Sequence, residues 1–185
     1  MAETITYTCT SCGKQHEDWP VLVYPAPTNY DLLSQEDKDN FGELDPDFCV
    51  IRHPDQTDRF IRCTMTQKVI DHCEDLEYGV WVSLSEKSFQ DYSDNFHNDQ
   101  HEATYFGWLS NDLPGSNFGK AAIPTTVFTR TGNNRPLIVP HESFDHPFVR
   151  DYYDGISKTA AEQRIQDILL PGSGNGKRKP WWKLW

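Results

Sequence analysis

The sequence lacks a long apolar run, and this absence excludes one class of protein at once. No stretch of its 185 residues approaches the roughly 20 apolar residues that a membrane-spanning helix needs. Residues 1–8 include Glu3 and no apolar segment, so the sequence predicts no secretory signal. We therefore expect a cytoplasmic protein.

Cysteines are few and odd in number, which argues against a disulfide framework. The five are Cys9, Cys12, Cys49, Cys63 and Cys73. Without a secretory signal, thiols of this kind are expected to stay reduced. The length suits one domain that can bury its own core. A metal site here would therefore reinforce a loop and would not be the main source of stability.

Basic residues are outnumbered by acidic ones. The chain has 17 Lys and Arg against 28 Asp and Glu, a formal net charge of −11. Such a charge repels phosphate backbones, which argues against nucleic acid as a partner. It suits a basic protein partner better, although solubility alone is the simpler interpretation of the charge.

Recognisable catalytic motifs are also missing. The sequence contains no phosphate-binding loop, dinucleotide-binding glycine motif, nucleophile elbow or His-Glu-x-x-His motif. His141 and His146 each neighbour an acid in a Pro-flanked turn, so a metal-dependent hydrolase is the alternative interpretation. No nucleophile in a recognisable setting accompanies them. The sequence thus favours a non-enzymatic binding or regulatory protein over an enzyme and predicts no catalytic residue.

What the sequence does contain is a metal-knuckle-like motif near its start. Cys9 and Cys12 are three residues apart on a tight turn, so two thiolates can face one zinc ion. Gly13 follows and allows a left-handed turn. We predict a structural Zn²⁺ site with His16 and Cys49 as further ligands, or with His146 as the alternative fourth ligand. Two unliganded thiols in an ordinary turn are the other interpretation.

The pattern of apolar residues predicts an α+β fold. We expect a mainly antiparallel sheet with about three helices and the N-terminal knuckle. Alternating, β-branched and aromatic segments predict strands at 48–52, 59–65, 78–84, 105–110, 125–130 and 136–139. Capping residues before apolar periodicity predict helices at 28–40, 85–96 and 157–170.

The end of the chain differs from the rest in composition. We divide the protein into one domain, residues 1–170 with the knuckle at 1–20, and a tail at 171–185 that starts as a Gly-rich linker. The tail then combines basic and indole groups, chiefly Lys179, Trp181, Trp182 and Trp185. These groups suit a membrane surface or a groove on a protein partner. A frayed terminus is the alternative.

Several motifs together resemble a bacterial family, domain-of-unknown-function family 2199. They are Cys9-x-x-Cys12-Gly13-x-x-His16, Asp47-x-Cys49-Val50-Ile51, and the segments 59–62, 79–85, 106–110, 135–136, 145–147 and 155–156. The resemblance covers roughly residues 7 to 170. It implies an uncharacterised bacterial cytoplasmic protein and supplies no catalytic residue. It also implies that Cys9, Cys12, His16, Cys49 and His146 are polar positions of the family pattern.

Overall fold

The fold is that of a computed structural model, which describes residues 6–8, 13, 15–113, 122–132 and 134–169. The strands of these ranges are β1 (Thr6–Thr8), β2 (Gln15–Glu17), β3 (Leu22–Val23), β4 (Gly42–Leu44), β5 (Phe48–Arg52), β6 (Thr57–Gln67), β7 (Leu76–Leu84), β8 (Thr104–Leu109), β9 (Ile123–Phe128) and β10 (Leu137–Pro140). The helices are α1 (Thr28–Asp31), α2 (Gln35–Phe41), α3 (Glu86–Asp94), α4 (Pro147–Asp154) and α5 (Lys158–Leu169).

Five consecutive strands, β6 to β10, close into a barrel. Each pairs antiparallel with the next along the chain, and β10 then pairs parallel with β6. In a meander with an odd number of strands, the first and last strands run the same way, so closure requires a parallel pair. Thr64 lies at this junction, opposite Leu137, and its backbone nitrogen donates to the Pro136 carbonyl at 2.8 Å.

Three further strands extend the sheet beyond the barrel, and β1 and β2 form a separate hairpin. β4 and β5 continue antiparallel from β6, whereas β3 pairs parallel with β7. The predicted fold class, a mainly antiparallel sheet with about three helices, is therefore wrong. The described residues form a sheet-rich closed barrel with five short helices. Apolar alternation along a strand reports which face is buried, and it does not report whether the sheet closes.

The predicted helix at 28–40 is in fact two short helices. Ser34 lies between α1 and α2 in an extended conformation, and its Oγ accepts a hydrogen bond from the Asp37 backbone nitrogen at 3.1 Å. This side-chain cap starts a new helix. The predicted cap of α3 is confirmed, because Ser85 Oγ accepts a hydrogen bond from the Ser88 nitrogen at 3.2 Å.

The chain between β10 and the last helix forms α4, where the sequence indicated only a turn. Pro147 takes the first helical position and His146 caps the helix. The helix predicted at 157–170 is observed as α5. Among the helices of the described ranges, none has both the length and the apolar character needed to cross a membrane.

Apolar side chains fill the barrel and form a second cluster on its outer wall. In β8, Tyr105 and Leu109 are buried, whereas the alternate residues Phe106 and Trp108 are exposed. The second cluster is made by Cys49, Ile51, Phe60 and Trp81, with the partly buried Tyr24, Tyr30, Leu33 and Phe41 packed against it.

A buried arginine fastens α5 to the barrel. Arg164 is 4% exposed, donates to Gln67 Oε1 at 3.3 Å, and forms an ion pair with Asp151 of α4. Its guanidinium carbon lies 5.8 Å from the centroid of the Phe148 ring. Since a buried charge is costly unless it is paired and hydrogen-bonded, these partners hold both helices in place.

Candidate functional site

The predicted knuckle falls on the β1–β2 hairpin, although Cys9 and Cys12 lie outside the described residues. Thr8 pairs with Gln15 across the hairpin, so residues 9–14 connect the two strands. Gly13 has a φ of 70°, in the left-handed region that glycine favours. His16 belongs to β2, and its side chain also lies outside the described part. The zinc site therefore stays a prediction.

Cys49, the predicted fourth ligand, is the second residue of β5. It is 1% exposed and packs in the outer apolar cluster with Phe60 and Trp81. Burial, and after it the nearby Asp31 and Asp45, raises the pKa of the Cys49 thiol to about 12. Because zinc binds the thiolate, this thiol becomes a ligand only if the ion itself displaces the proton.

His146, the alternative ligand, serves as the N-cap of α4. It is 7% exposed, and its Nδ1 accepts a hydrogen bond from the Phe148 backbone nitrogen at 3.1 Å. Its ring stacks on Phe144, with centroids 6.1 Å apart. Burial, and secondly the Arg150 guanidinium, holds the pKa of His146 below its ordinary 6.5, against the opposing effect of Asp145. The described geometry thus assigns Nδ1 to a neutral helix cap.

We expect the substitution His146→Asn to flatten the pH dependence of stability below about pH 6.5. Asn accepts the same capping bond but does not titrate. Since the folded-state pKa of His146 is depressed, the unfolded chain binds a proton more readily. The neutral cap therefore contributes its full stability above about pH 6.5. As the pH decreases below this value, the free energy of unfolding decreases by at most about 1.4 kcal/mol per pH unit.

Urea unfolding of both proteins between about pH 5 and about pH 8 measures this difference. The control is His97→Asn, a substitution of an exposed histidine. Parallel stability curves for the wild type and His146→Asn would contradict the assignment.

His141 lies on the outer surface of the barrel. Its Nε2 is 3.1 Å from Thr126 Oγ1, and its ring packs against Phe106 with centroids 5.6 Å apart. Across the described ranges, no group of three or more His, Cys, Asp and Glu side chains is placed to hold a metal ion. These ranges therefore do not join His141 and His146 to a carboxylate in one metal site.

The outer side of β8 and β9 carries exposed aromatic rings, which we call the aromatic face: Phe106, Trp108 and Phe128. They are 50%, 43% and 40% exposed. Phe106 and Trp108 meet edge to face, 5.1 Å apart. The register sets Phe106 opposite Thr126 and Phe128 opposite Thr104, so the three rings project from one side of the sheet. Phe106 and Trp108 stand at alternate positions of a predicted strand, which is a signal for this surface that the sequence prediction did not include.

A groove of about 600 Å³ borders the aromatic face and is lined by Phe128, His141, Glu142 and Tyr153, among others. The Tyr153 hydroxyl donates to the Pro140 carbonyl at 2.7 Å, which fixes its ring. Burial, and secondly the carboxylate of Glu142, raises the pKa of Tyr153. The groove and the aromatic face together offer several rings and one carboxylate to an approaching cation.

The family model for an uncharacterised protein conserved in bacteria, DUF2199, matches residues 8–156. The chain belongs to this family. The resemblance seen in the sequence is thereby confirmed. No curated protein and no solved structure matches the chain. The DUF2199 match runs from the end of β1 to just beyond α4, so it includes every strand of the barrel and the aromatic face.

Several residues in the motifs of this DUF2199 chain have an identifiable structural role. Gly107 in β8 has no room for a side chain, because a Cβ there would lie 2.3 Å from Val82 Cγ1 and 2.9 Å from the Ser83 carbonyl. Trp81 in β7 is fully buried. His146 and Pro147 start α4. These residues therefore have structural roles in the barrel and at the start of α4.

Proposed function

We propose that this DUF2199 protein is a non-enzymatic binding protein that holds a basic protein partner on the aromatic face. The exposed rings of Phe106, Trp108 and Phe128 on a single sheet surface carry the proposal. Scattered exposed apolar residues are normal, but clustered ones rimmed by polar groups mark interaction sites. Tryptophan and tyrosine are also enriched among the residues that dominate binding energy at protein interfaces.

Charge supports a basic partner. The chain carries a formal net charge of −11, and Glu142 lines the groove beside Tyr153. A lysine or arginine of the partner can lie over the ring of Tyr153 while it pairs with the neighbouring Glu142. Long-range attraction between the acidic body and a basic surface would speed association.

We expect the wild-type chain to capture a basic protein from a lysate of its bacterial host. The triple variant Phe106→Ser/Trp108→Ser/Phe128→Ser should lose about tenfold or more of that protein, since aromatic anchors dominate such interfaces. Quantitative mass spectrometry of the captured proteins at low and high salt measures the effect. Salt should weaken the capture because the steering charges are screened.

The matched control is Val21→Ser/Leu32→Ser/Ile70→Ser, which removes three exposed apolar side chains that lie outside the aromatic face. Equal capture by the wild type and the Phe106/Trp108/Phe128 variant would contradict the proposal.

A shortened chain ending at residue 170 tests the tail with Lys179, Trp181, Trp182 and Trp185, which lies outside the described residues. Stronger capture by the shortened chain would show that the tail competes for the aromatic face.

We further propose that Cys9 and Cys12 hold a structural zinc ion. The paired strands β1 and β2 on either side of the motif support this, as does the left-handed Gly13 directly after Cys12. Two cysteines at this spacing supply paired thiolates in many structural zinc sites. The remaining ligands proposed are His16 and Cys49, with His146 as the alternative to the latter. Zinc would reinforce the hairpin and take no part in the binding of the partner.

A further inference from the structure

A second concavity, of about 450 Å³, lies where the turn after α3 meets the connection between β9 and β10. Two arginines line it, Arg130 and Arg135, together with one carboxylate, Asp47. We call this concavity the arginine cleft. It shares no lining residue with the groove beside the aromatic face. The lining thus brings two guanidinium groups together with one carboxylate, in a protein whose net charge is −11.

Both guanidinium groups are held from one side. Arg135 Nε donates to Asp47 Oδ1 at 2.6 Å. Arg130 Nε donates to the Arg135 carbonyl at 2.7 Å, and one of its terminal nitrogens donates to Thr64 Oγ1 at 3.1 Å. Among the described residues, the other terminal nitrogens of the two side chains form no hydrogen bond. These N–H groups are therefore already oriented and remain available to an acceptor.

The two walls of the arginine cleft are tied to each other. Thr129 Oγ1 accepts a hydrogen bond from the Ala103 nitrogen at 2.7 Å and donates to the His101 carbonyl at 2.9 Å. The Gly132 nitrogen donates to the Asp99 carbonyl at 3.1 Å. A site with walls held in this way loses less conformational freedom on binding, which favours affinity.

We infer that the arginine cleft binds a small organic anion through a carboxylate or phosphate group held by Arg130 and Arg135. The planar fork of arginine matches both oxyanions and accepts either in a bidentate arrangement. The cavity volume falls in the range of small-molecule sites. The amide side chains of Asn95, Asn98 and Asn134 also line the cleft. Each amide nitrogen already donates one local hydrogen bond, and its second N–H can serve the neutral part of such a ligand.

Asp47 predicts the direction in which a substitution changes the anion affinity of the cleft. Its carboxylate already occupies Arg135 Nε and adds a negative charge to the cleft. An incoming oxyanion binds the other N–H groups but is repelled by this negative charge. Asp47→Asn should strengthen anion binding severalfold, whereas a purely structural ion pair would give no gain.

The experiment is a titration of ¹⁵N-labelled protein at low salt with inorganic phosphate, citrate and AMP, followed by NMR. We expect shifts confined to the cleft, with AMP and citrate distinguishing a phosphate ester from a carboxylate. Arg135→Gln and Arg130→Gln should each weaken binding about tenfold, the value of a charge-assisted hydrogen bond. Arg52→Gln is the control, because Arg52 forms an exposed ion pair with Glu43 in another part of the sheet and does not line the cleft.

Circular dichroism checks that each variant is folded. If Arg135→Gln unfolds, Arg135→Lys replaces it, since this variant keeps the charge but loses the fork and should still weaken binding. If Arg130→Gln and Arg135→Gln bind the anions as tightly as the control Arg52→Gln does, the inference is overturned. Asp47→Asn that fails to strengthen binding also overturns it. Either result leaves the aromatic face untouched, because the two sites use different residues.

Discussion

Replacing Trp81 by alanine is expected to lower the free energy of unfolding by about 3–5 kcal/mol. The indole is fully buried against Cys49, Ile51 and Phe60 on the outer wall of β7. Its Nε1 donates to the Tyr24 carbonyl at 3.0 Å. Truncation therefore leaves both a cavity and a carbonyl without this donor. Urea denaturation followed by circular dichroism measures the loss, because this signal does not depend on the tryptophan itself.

Trp108→Ala is the matched control for this prediction. The two tryptophans lie on adjacent strands, but Trp108 is 43% exposed on the aromatic face. Its removal should cost less than about 1 kcal/mol. Trp81→Phe keeps most of the packing but loses the indole hydrogen bond. It should therefore lower the free energy of unfolding by about 1 kcal/mol relative to the wild type. Equal destabilisation by Trp81→Ala and Trp108→Ala would show that the outer cluster does not stabilise the fold.

The individual strands could be predicted because each carries its own local signal. The segment predicted at 78–84 lies within β7, and 48–52 coincides with β5. β-Branched and aromatic residues pack well on a pleated sheet, so their enrichment marks such strands directly. Residues 53–56, which include Pro54 and Asp55, join β5 to β6 as an antiparallel hairpin.

The closure of the barrel could not be predicted in the same way. It depends on one parallel contact between Thr64 and the chain at Pro136–Leu137, which are more than 70 residues apart. No periodicity within either segment encodes that contact. The helix α4 was missed for a related reason, since a histidine takes the capping place that Ser or Asp usually occupies. The break between α1 and α2 was visible in Ser34, but the apolar residues around it suggested one continuous helix.

The candidate sites also differ in whether they depend on a local sequence signal or on contacts made in the folded chain. Cys9 and Cys12 carry a local spacing, so sequence alone identified them. The arginine cleft joins Asp47 to Arg130 and Arg135 from separate strand connections, so it could be found only in the folded chain. The aromatic face lies between these cases. The alternate positions of Phe106 and Trp108 can be read from the sequence. Their exposure depends on the fold, in which none of the described helices covers this side of the sheet.

Loss of zinc on replacement of both N-terminal cysteines is the second large effect that we expect. The purified wild type should carry about one zinc ion per chain, and Cys9→Ser/Cys12→Ser should carry none, because two ligands cannot hold the ion after both thiolates are removed. Elemental analysis of protein purified without added metal measures the content. The barrel should still unfold cooperatively, since it buries its own core, while the β1–β2 hairpin should become sensitive to protease.

Single substitutions then identify the remaining ligands. Cys49→Ala should release zinc if the ion has displaced the thiol proton that burial otherwise retains. Cys63→Ala is the matched control, because Cys63 is also buried but lies inside the barrel. Cys73→Ala tests the loop that Trp19 contacts through its stacking on His72, with ring centroids 4.3 Å apart. Zinc retained by Cys49→Ala and lost from Cys73→Ala would move the site to that loop. A wild type free of zinc would remove the knuckle from the proposed function and leave the aromatic face as its sole basis.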